Sequence, residues 1–238
     1  MFEQLLIPRM NPAVTPEELA SFARFDLPAQ YDTSSPPLVT ADYQMILEYI
    51  NAATDFVEEL TARATTSQTW LLTLDFFPGQ QDPRSLMNYQ MGYAYDWTPF
   101  WWYGSFPKDS IELIRRPVNP VSTTSPPIPL VVTYTDDNGI VQTMDSTTYT
   151  VFADKITLNV GEQWTNLISR RQDCIQIAYP CGYGDTADKV PSRLKMAIRF
   201  LAGWWYENRM PVATEPTTEV MFTINSLLGP FKMMRIPR

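Results

Sequence analysis

The sequence predicts an α+β fold: a small helical bundle formed by N- and C-terminal helices, with an antiparallel β unit inserted between them. Three observations carry that prediction. Apolar residues recur at three- and four-residue spacings over residues 43–60 and again over 194–205, towards the two ends of the chain. Between these stretches lie short strand-like runs separated by turn signals, with no alternation of strands and helices of the βαβ kind. Apolar residues make up 45% of the 238 positions, enough for the core of one large domain or two small ones.

Residues 1–39 read as an extended leader with one short helix. Thr15-Pro16-Glu17-Glu18 combines an N-cap, a proline at the first helical position and two early acids, and the helix should run to about Phe25. Tyr31 to Val39, with Pro36-Pro37, reads as extended. Residues 40–68 form the first part of the bundle. Thr40 can cap a helix with Asp42 in its first turn, and Tyr43, Ile46, Ile50, Ala53, Val57 and Leu60 share one face. The remaining surface carries Asp42, Glu48, Asp55, Glu58 and Glu59. The helix should end near Arg63, before the turn Thr65-Thr66-Ser67.

Residues 69–188 form the inserted β-rich region. Thr69 to Phe77 has strand composition. Residues 79–110 are an aromatic-rich loop with no convincing periodicity, containing Tyr89, Tyr93, Tyr95, Trp97, Phe100, Trp101, Trp102, Tyr103 and Phe106. One reading folds these rings back over the core; the other makes the loop a partner contact. A buried aromatic removes roughly 150–250 Å² from water, and nine exposed ones would invite aggregation. Something must cover them.

Ser110 to Arg115 is a short strand ended by Arg116-Pro117, and Ser122 to Pro129 is a proline-rich connection. Leu130–Thr135 and Val141–Met144 flank Asp136-Asp137-Asn138-Gly139, where Asn-Gly signals a hairpin. Tyr149–Phe152 and Lys155–Leu158 form a second pair around Ala153-Asp154. Cys174 to Tyr179 alternates well and ends at the glycine turn Gly182-Tyr183-Gly184.

Residues 189–229 return to helix as the second part of the bundle. Pro191 suits the first helical position. Leu194, Ala197, Ile198, Leu201, Trp204 and Trp205 line one broad face, with Arg193, Lys195, Arg199 and Glu207 outside it. Asn208-Arg209-Met210-Pro211 ends the element. A last helix around Glu219–Leu228 stops at Gly229-Pro230, and residues 230–238 are a basic tail.

The chain has no histidine, which excludes imidazole general-base chemistry, Ser-His-Asp triads and histidine-bearing zinc sites. Two cysteines are too few for a disulfide scaffold or a four-thiolate metal site, and the seven-residue spacing of Cys174 and Cys181 is wrong for a redox CxxC motif. They read as buried small hydrophobes, with a disulfide between them as the lesser alternative. Gly182-Tyr183-Gly184 lacks the rest of any nucleotide-binding fingerprint. The acid pairs Glu17-Glu18, Glu58-Glu59 and Asp136-Asp137 read as solvated surface, since helix neighbours do not share a face and Asp136-Asp137 belongs to a turn. No catalytic residue, cofactor site or metal site emerges, and an enzyme is not expected.

The net charge of -8 is unevenly placed. Residues 1–110 hold 14 acids against 5 bases, a net of -9, while residues 111–238 hold 12 against 13. Such a chain is a poor sequence-reading DNA binder, which would need an electropositive footprint. The start of the chain lacks a basic segment followed by a long apolar one, and no apolar run reaches the ~20 residues of a membrane span. A soluble protein from a reducing compartment is expected.

Three stretches carry a family resemblance. The first is Ile50 to Thr61 running into Gln68-Thr69-Trp70 and Leu74-Asp75-Phe76-Phe77-Pro78. The second is Ile111-Glu112-Leu113-Ile114-Arg115-Arg116-Pro117 with Val132 to Gly139. The third is Tyr183-Gly184, Val190 to Ile198, Trp205 to Arg209 and Leu227-Leu228-Gly229-Pro230-Phe231. In this order and spacing, over roughly residues 40–235, the chain resembles the head–tail connector (adaptor, or head-completion) proteins of tailed bacteriophages and gene transfer agents.

The resemblance implies a structural protein of the virion neck at the portal vertex, made in the bacterial host cytoplasm. Its members form a ring, commonly a dodecamer, with the portal protein above and a tail-side neck or tail protein below. Double-stranded DNA passes through the channel without sequence-specific binding, and no membrane is involved. The family's C-terminal segment docks onto the portal. Here that segment would be Leu227, Leu228, Phe231, Lys232, Arg235 and Arg238. The first long helix would belong to the bundle near the channel, with Asp42, Glu48, Asp55, Glu58 and Glu59 offering DNA a like-charged wall. The segment Asp82–Phe106 is longer than the family pattern, and the leader before Thr40 carries little of the resemblance. Competing readings are a non-viral β-rich protein- or carbohydrate-binding module and, more remotely, a carboxylate-dependent hydrolase.

Overall fold

The computed structural model describes residues 2–30, 40–78, 110–119, 129–136, 138–152, 154–165, 173–208 and 218–232. The nine aromatics of the 79–110 segment lie outside the described residues, as do Arg235 and Arg238. The chain divides into two compact units. A sheet unit takes residues 1–8, 69–122 and 126–180; a helical unit takes residues 9–68, 123–125 and 181–238.

In the sheet unit, β1 (Phe2–Ile7), β2 (Gln68–Leu74), β8 (Ile175–Cys181), β4 (Val131–Thr135) and β5 (Val141–Thr143) form a five-stranded sheet in the order β1-β2-β8-β4-β5. A second sheet holds β3 (Ser110–Glu112), β7 (Lys155–Leu158) and β6 (Tyr149–Phe152), in the order β3-β7-β6. The period-2 pattern explains the burial: Ile175, Ile177 and Tyr179 on β8 are buried while Gln176 between them is exposed. β4 pairs antiparallel with both β8 and β5, and Val132 lies opposite Ile177. The β4–β5 turn closes as the Asn-Gly signal predicts. Gly139 has φ +85°, and its amide donates to the Asp136 carbonyl at 2.9 Å.

The leader contains a strand that the sequence pattern does not predict. Phe2–Ile7 alternates poorly, yet it forms an edge strand, pairing Phe2 with Thr73 and Leu5 with Trp70. A polar cluster holds its Glu3 side chain. The Tyr179 hydroxyl donates to Glu3 Oε1 at 2.6 Å, Arg115 Nε reaches Glu3 Oε2 at 3.4 Å, and the Arg115 guanidinium lies 4.4 Å above the Trp70 ring.

The helical unit packs α1 (Pro16–Ala23), α2 (Ala41–Thr61), α3 (Ser192–Glu207) and α4 (Thr218–Leu228). Thr15 caps α1, its hydroxyl accepting from the Glu18 amide, with Pro16 in the first turn. Thr40 precedes α2 in extended conformation without a side-chain cap bond. One core joins Leu19 of α1, Ile46, Ile50, Ala53 and Val57 of α2, Leu194, Ala197, Ile198 and Leu201 of α3, and Ile224 and Leu228 of α4. Trp205 packs against this core while remaining partly exposed. Both cysteines are buried free thiols, and burial pushes the Cys174 thiol upward.

Candidate interaction surfaces

The residues singled out in the sequence fall into three groups. On α2, Asp42, Glu48, Asp55 and Glu59 are exposed, whereas Glu58 is not. Its place among the surface acids needs correction: it is 5% exposed and fully engaged. Glu58 Oε1 accepts from the Thr65 amide at 2.7 Å, the Thr65 hydroxyl at 2.6 Å and Gln68 Nε2 at 3.1 Å. Arg9 Nη1 approaches Oε2 at 3.4 Å and also meets Asp55 Oδ1 at 2.7 Å. A buried carboxylate needs this many donors to replace its water. Glu58 therefore ties the end of α2 to the turn that follows it.

The C-terminal residues also separate. Leu228 is fully buried in the helical core, so its assignment to a docking surface is corrected as well. Leu227 and Phe231 are partly buried against that core, and Lys232 is exposed with its ammonium 2.7 Å from Asn225 Oδ1. The single 3-10 turn Gly229–Phe231 is held down by Arg63. Arg63 Nε donates to the Phe231 carbonyl at 3.0 Å, and the guanidinium lies 5.5 Å from the centre of the Phe231 ring.

A third surface goes unread in the sequence. The 3-10 turn Ala187–Lys189 and the start of α3 border an open cleft of about 510 Å³, lined by Asp188, Lys189, Ser192, Lys195, Met196 and Arg199 among others. Lys195 Nζ lies 2.9 Å from Glu18 Oε1, and Arg199 Nη2 lies 2.8 Å from Glu18 Oε2. Burial raises the Glu18 carboxyl, but the hydrogen bonds and charges of Arg199 and Lys195 outweigh it and hold the group below its ordinary value. The only sequence signal is the run of cations Lys189, Arg193, Lys195 and Arg199; the convergence of Lys195 and Arg199 on Glu18 depends on the packing of α1 on α3.

Among the described residues there is no group of three or more Cys, Asp or Glu side chains able to hold a metal ion. Nor does any described helix have the length and apolarity to cross a membrane.

No family model matches the chain, and no curated protein does. Solved structures do. A chain from the neck of an empty gene transfer agent particle, computed with C6 symmetry, superposes with a TM-score of 0.67 at 17% identity. A chain from the virion of the native gene transfer agent particle gives 0.63 at 18%, and one from the neck of the native particle, computed with C12 symmetry, gives 0.61 at 16%. Each match covers 100% of this chain and 98% of the other. The chain therefore shares the fold of these chains.

Proposed function

We propose that this protein is a structural head–tail connector: a ring-forming neck subunit that joins the portal vertex to the tail and encloses part of the DNA channel. The observation that carries this reading is the end-to-end match to gene transfer agent neck chains at a TM-score of 0.67. A shared fold is weak ground for function when only one unit matches. Here helical and sheet units alike are included, and the three sequence stretches that resemble connectors lie in both. The C6 and C12 symmetries of the neighbouring necks support a cyclic ring, for which we take twelve copies as the working number.

In this reading the portal sits above, with the tail of the chain from Leu227 onward approaching it through Phe231, Lys232, Arg235 and Arg238. A tail-side protein sits below, and duplex DNA slides through without being read. The protein is made in the bacterial host cytoplasm and ends in the virion neck. Direct imaging of the assembled particle tests the reading. A ring of this chain beneath the portal is expected. A particle with an intact neck from which this chain is absent, or a stable monomer that binds glycan and never assembles, would overturn it.

A further inference from the structure

The helical unit carries two oppositely charged faces on its two central helices. On α2, Glu48, Asp55 and Glu59 are spaced seven and four residues apart, which places them within about 40° of one another around the axis. The core positions Ile46, Ile50, Ala53 and Val57 lie on the other side of that helix. On α3 the core positions are Leu194, Ala197, Ile198 and Leu201. Lys195 and Arg199 border the opposite side on one flank, along the cleft with Ser192 and Met196; Arg193 borders it on the other flank, outside the cleft, and Lys189 comes just before the helix. Because α2 and α3 share one core, the acidic seam and the basic start of α3 look away from it.

The chemistry of the cleft's occupant can be read from what already sits there. Glu18 places a carboxylate on Lys195 and Arg199 within 2.9 Å. Lys189 and Arg193 are exposed and have no acidic partner among the described residues; Glu48 and Glu59 likewise have no basic one. Asp55 is exposed but meets Arg9. A closed ring of one chain needs two different complementary patches, because each subunit meets its neighbours head to tail. Opposite charge on the two patches steers encounter and rejects the reversed orientation.

We propose that the α2 seam Glu48–Asp55–Glu59 of one copy docks against the basic start of α3 of the next, on the exposed cations Lys189, at the edge of the cleft, and Arg193, beside it. This rests on the connector reading. It also assigns the α2 acids to the contact between copies rather than to the channel wall.

The test is ring assembly of the full chain, measured by native mass spectrometry and particle imaging over a concentration series. The variants are Glu48→Lys with Glu59→Lys, Lys189→Glu with Arg193→Glu, and all four together. Each double reversal should raise the concentration for half-assembly about tenfold or more, and the fourfold chain should recover assembly. Raising salt from 0.1 to 1 M, which shortens screening from about 10 Å to 3 Å, should weaken the wild-type ring. Recovery in the fourfold chain cannot come from misfolding.

Rings that form equally well in both double variants overturn the inference and leave the connector reading standing. So do rings that stay intact while Lys189→Glu with Arg193→Glu loses duplex DNA, since these two cations would then hold phosphate. If wild-type chain forms no ring either alone or in the particle, the connector reading fails and the contact fails with it.

Discussion

Glu58 and Thr65 are joined twice: Oε1 of the carboxylate accepts from the Thr65 amide at 2.7 Å and from its hydroxyl at 2.6 Å. Seven residues apart, they close the chain reversal after α2, where Ala62 takes a left-handed conformation at φ +52°. Removing the carboxylate leaves a buried amide, a hydroxyl and Gln68 Nε2 with no acceptor, and deprives Arg9 of one acid. Glu58→Ala should therefore cost about 3 kcal/mol, and Glu58→Gln about 1 kcal/mol because it keeps an acceptor oxygen. Urea denaturation of the two variants would check this; equal, small losses would mean the turn holds itself.

Glu18 makes stability acid-sensitive. Its carboxyl titrates below the ordinary 4.5 in the folded chain, because Arg199 and Lys195 favour the ionised form over the cost of burial. The unfolded chain thus takes up the proton first as pH falls. The contribution is complete above about 4.5 and fades as pH drops through the lower folded value. The stability gap between wild type and Glu18→Gln should be constant from neutral pH to about 4.5 and shrink below it. Urea midpoints across a pH series measure the gap; one that widens in acid would refute the sign.

What was legible in the sequence follows from how local each cause is. The helices over 41–61 and 192–207 and the hairpin at Asn138-Gly139 arise from periodicity and turn chemistry within a few residues, and the structure has them within two residues of the predicted limits. Phe2–Ile7 lacks alternation and becomes a strand only because residues 69–73 offer it an edge. Glu58 sits on the polar flank of its helix by spacing alone; Arg9, 49 residues before it, and Gln68, ten after, convert it to a buried hub. The basic cleft needs Glu18 and Lys195, 177 residues apart, to meet. No window of sequence contains that pairing.

The glycine turn discriminates between two substitutions that look alike in sequence. At Gly182, with φ +125°, an added Cβ would lie 2.5 Å from the Thr66 carbonyl oxygen and 2.6 Å from its carbon, both backbone atoms. At Gly184, with φ +150°, it would meet the Lys189 side chain, which can swing aside. Both changes strain the backbone, but only the first drives into a fixed chain. Gly182→Ala should cost about 3 kcal/mol or more and Gly184→Ala markedly less. Thermal unfolding of the pair decides it; the reverse order would contradict the geometry.

Phe231 belongs both to the fold and to the segment expected to dock. Its carbonyl accepts from Arg63 Nε at 3.0 Å, its ring lies beneath the same guanidinium, and it packs against the helical core. Phe231→Ala should therefore destabilise the monomer by about 1–2 kcal/mol through lost packing and cation–π contact. Deleting residues 233–238 takes away Arg235 and Arg238 but leaves Leu228, Phe231 and Lys232 in place. That truncated chain should keep the wild-type unfolding midpoint while its association with the portal falls, most clearly at low salt where charge pairs act over the longest range. Calorimetry and portal pull-down on the same preparation separate the two roles. Unchanged portal association would remove the basic tail from the docking surface, and a lowered unfolding midpoint would mean that the fold extends past Lys232.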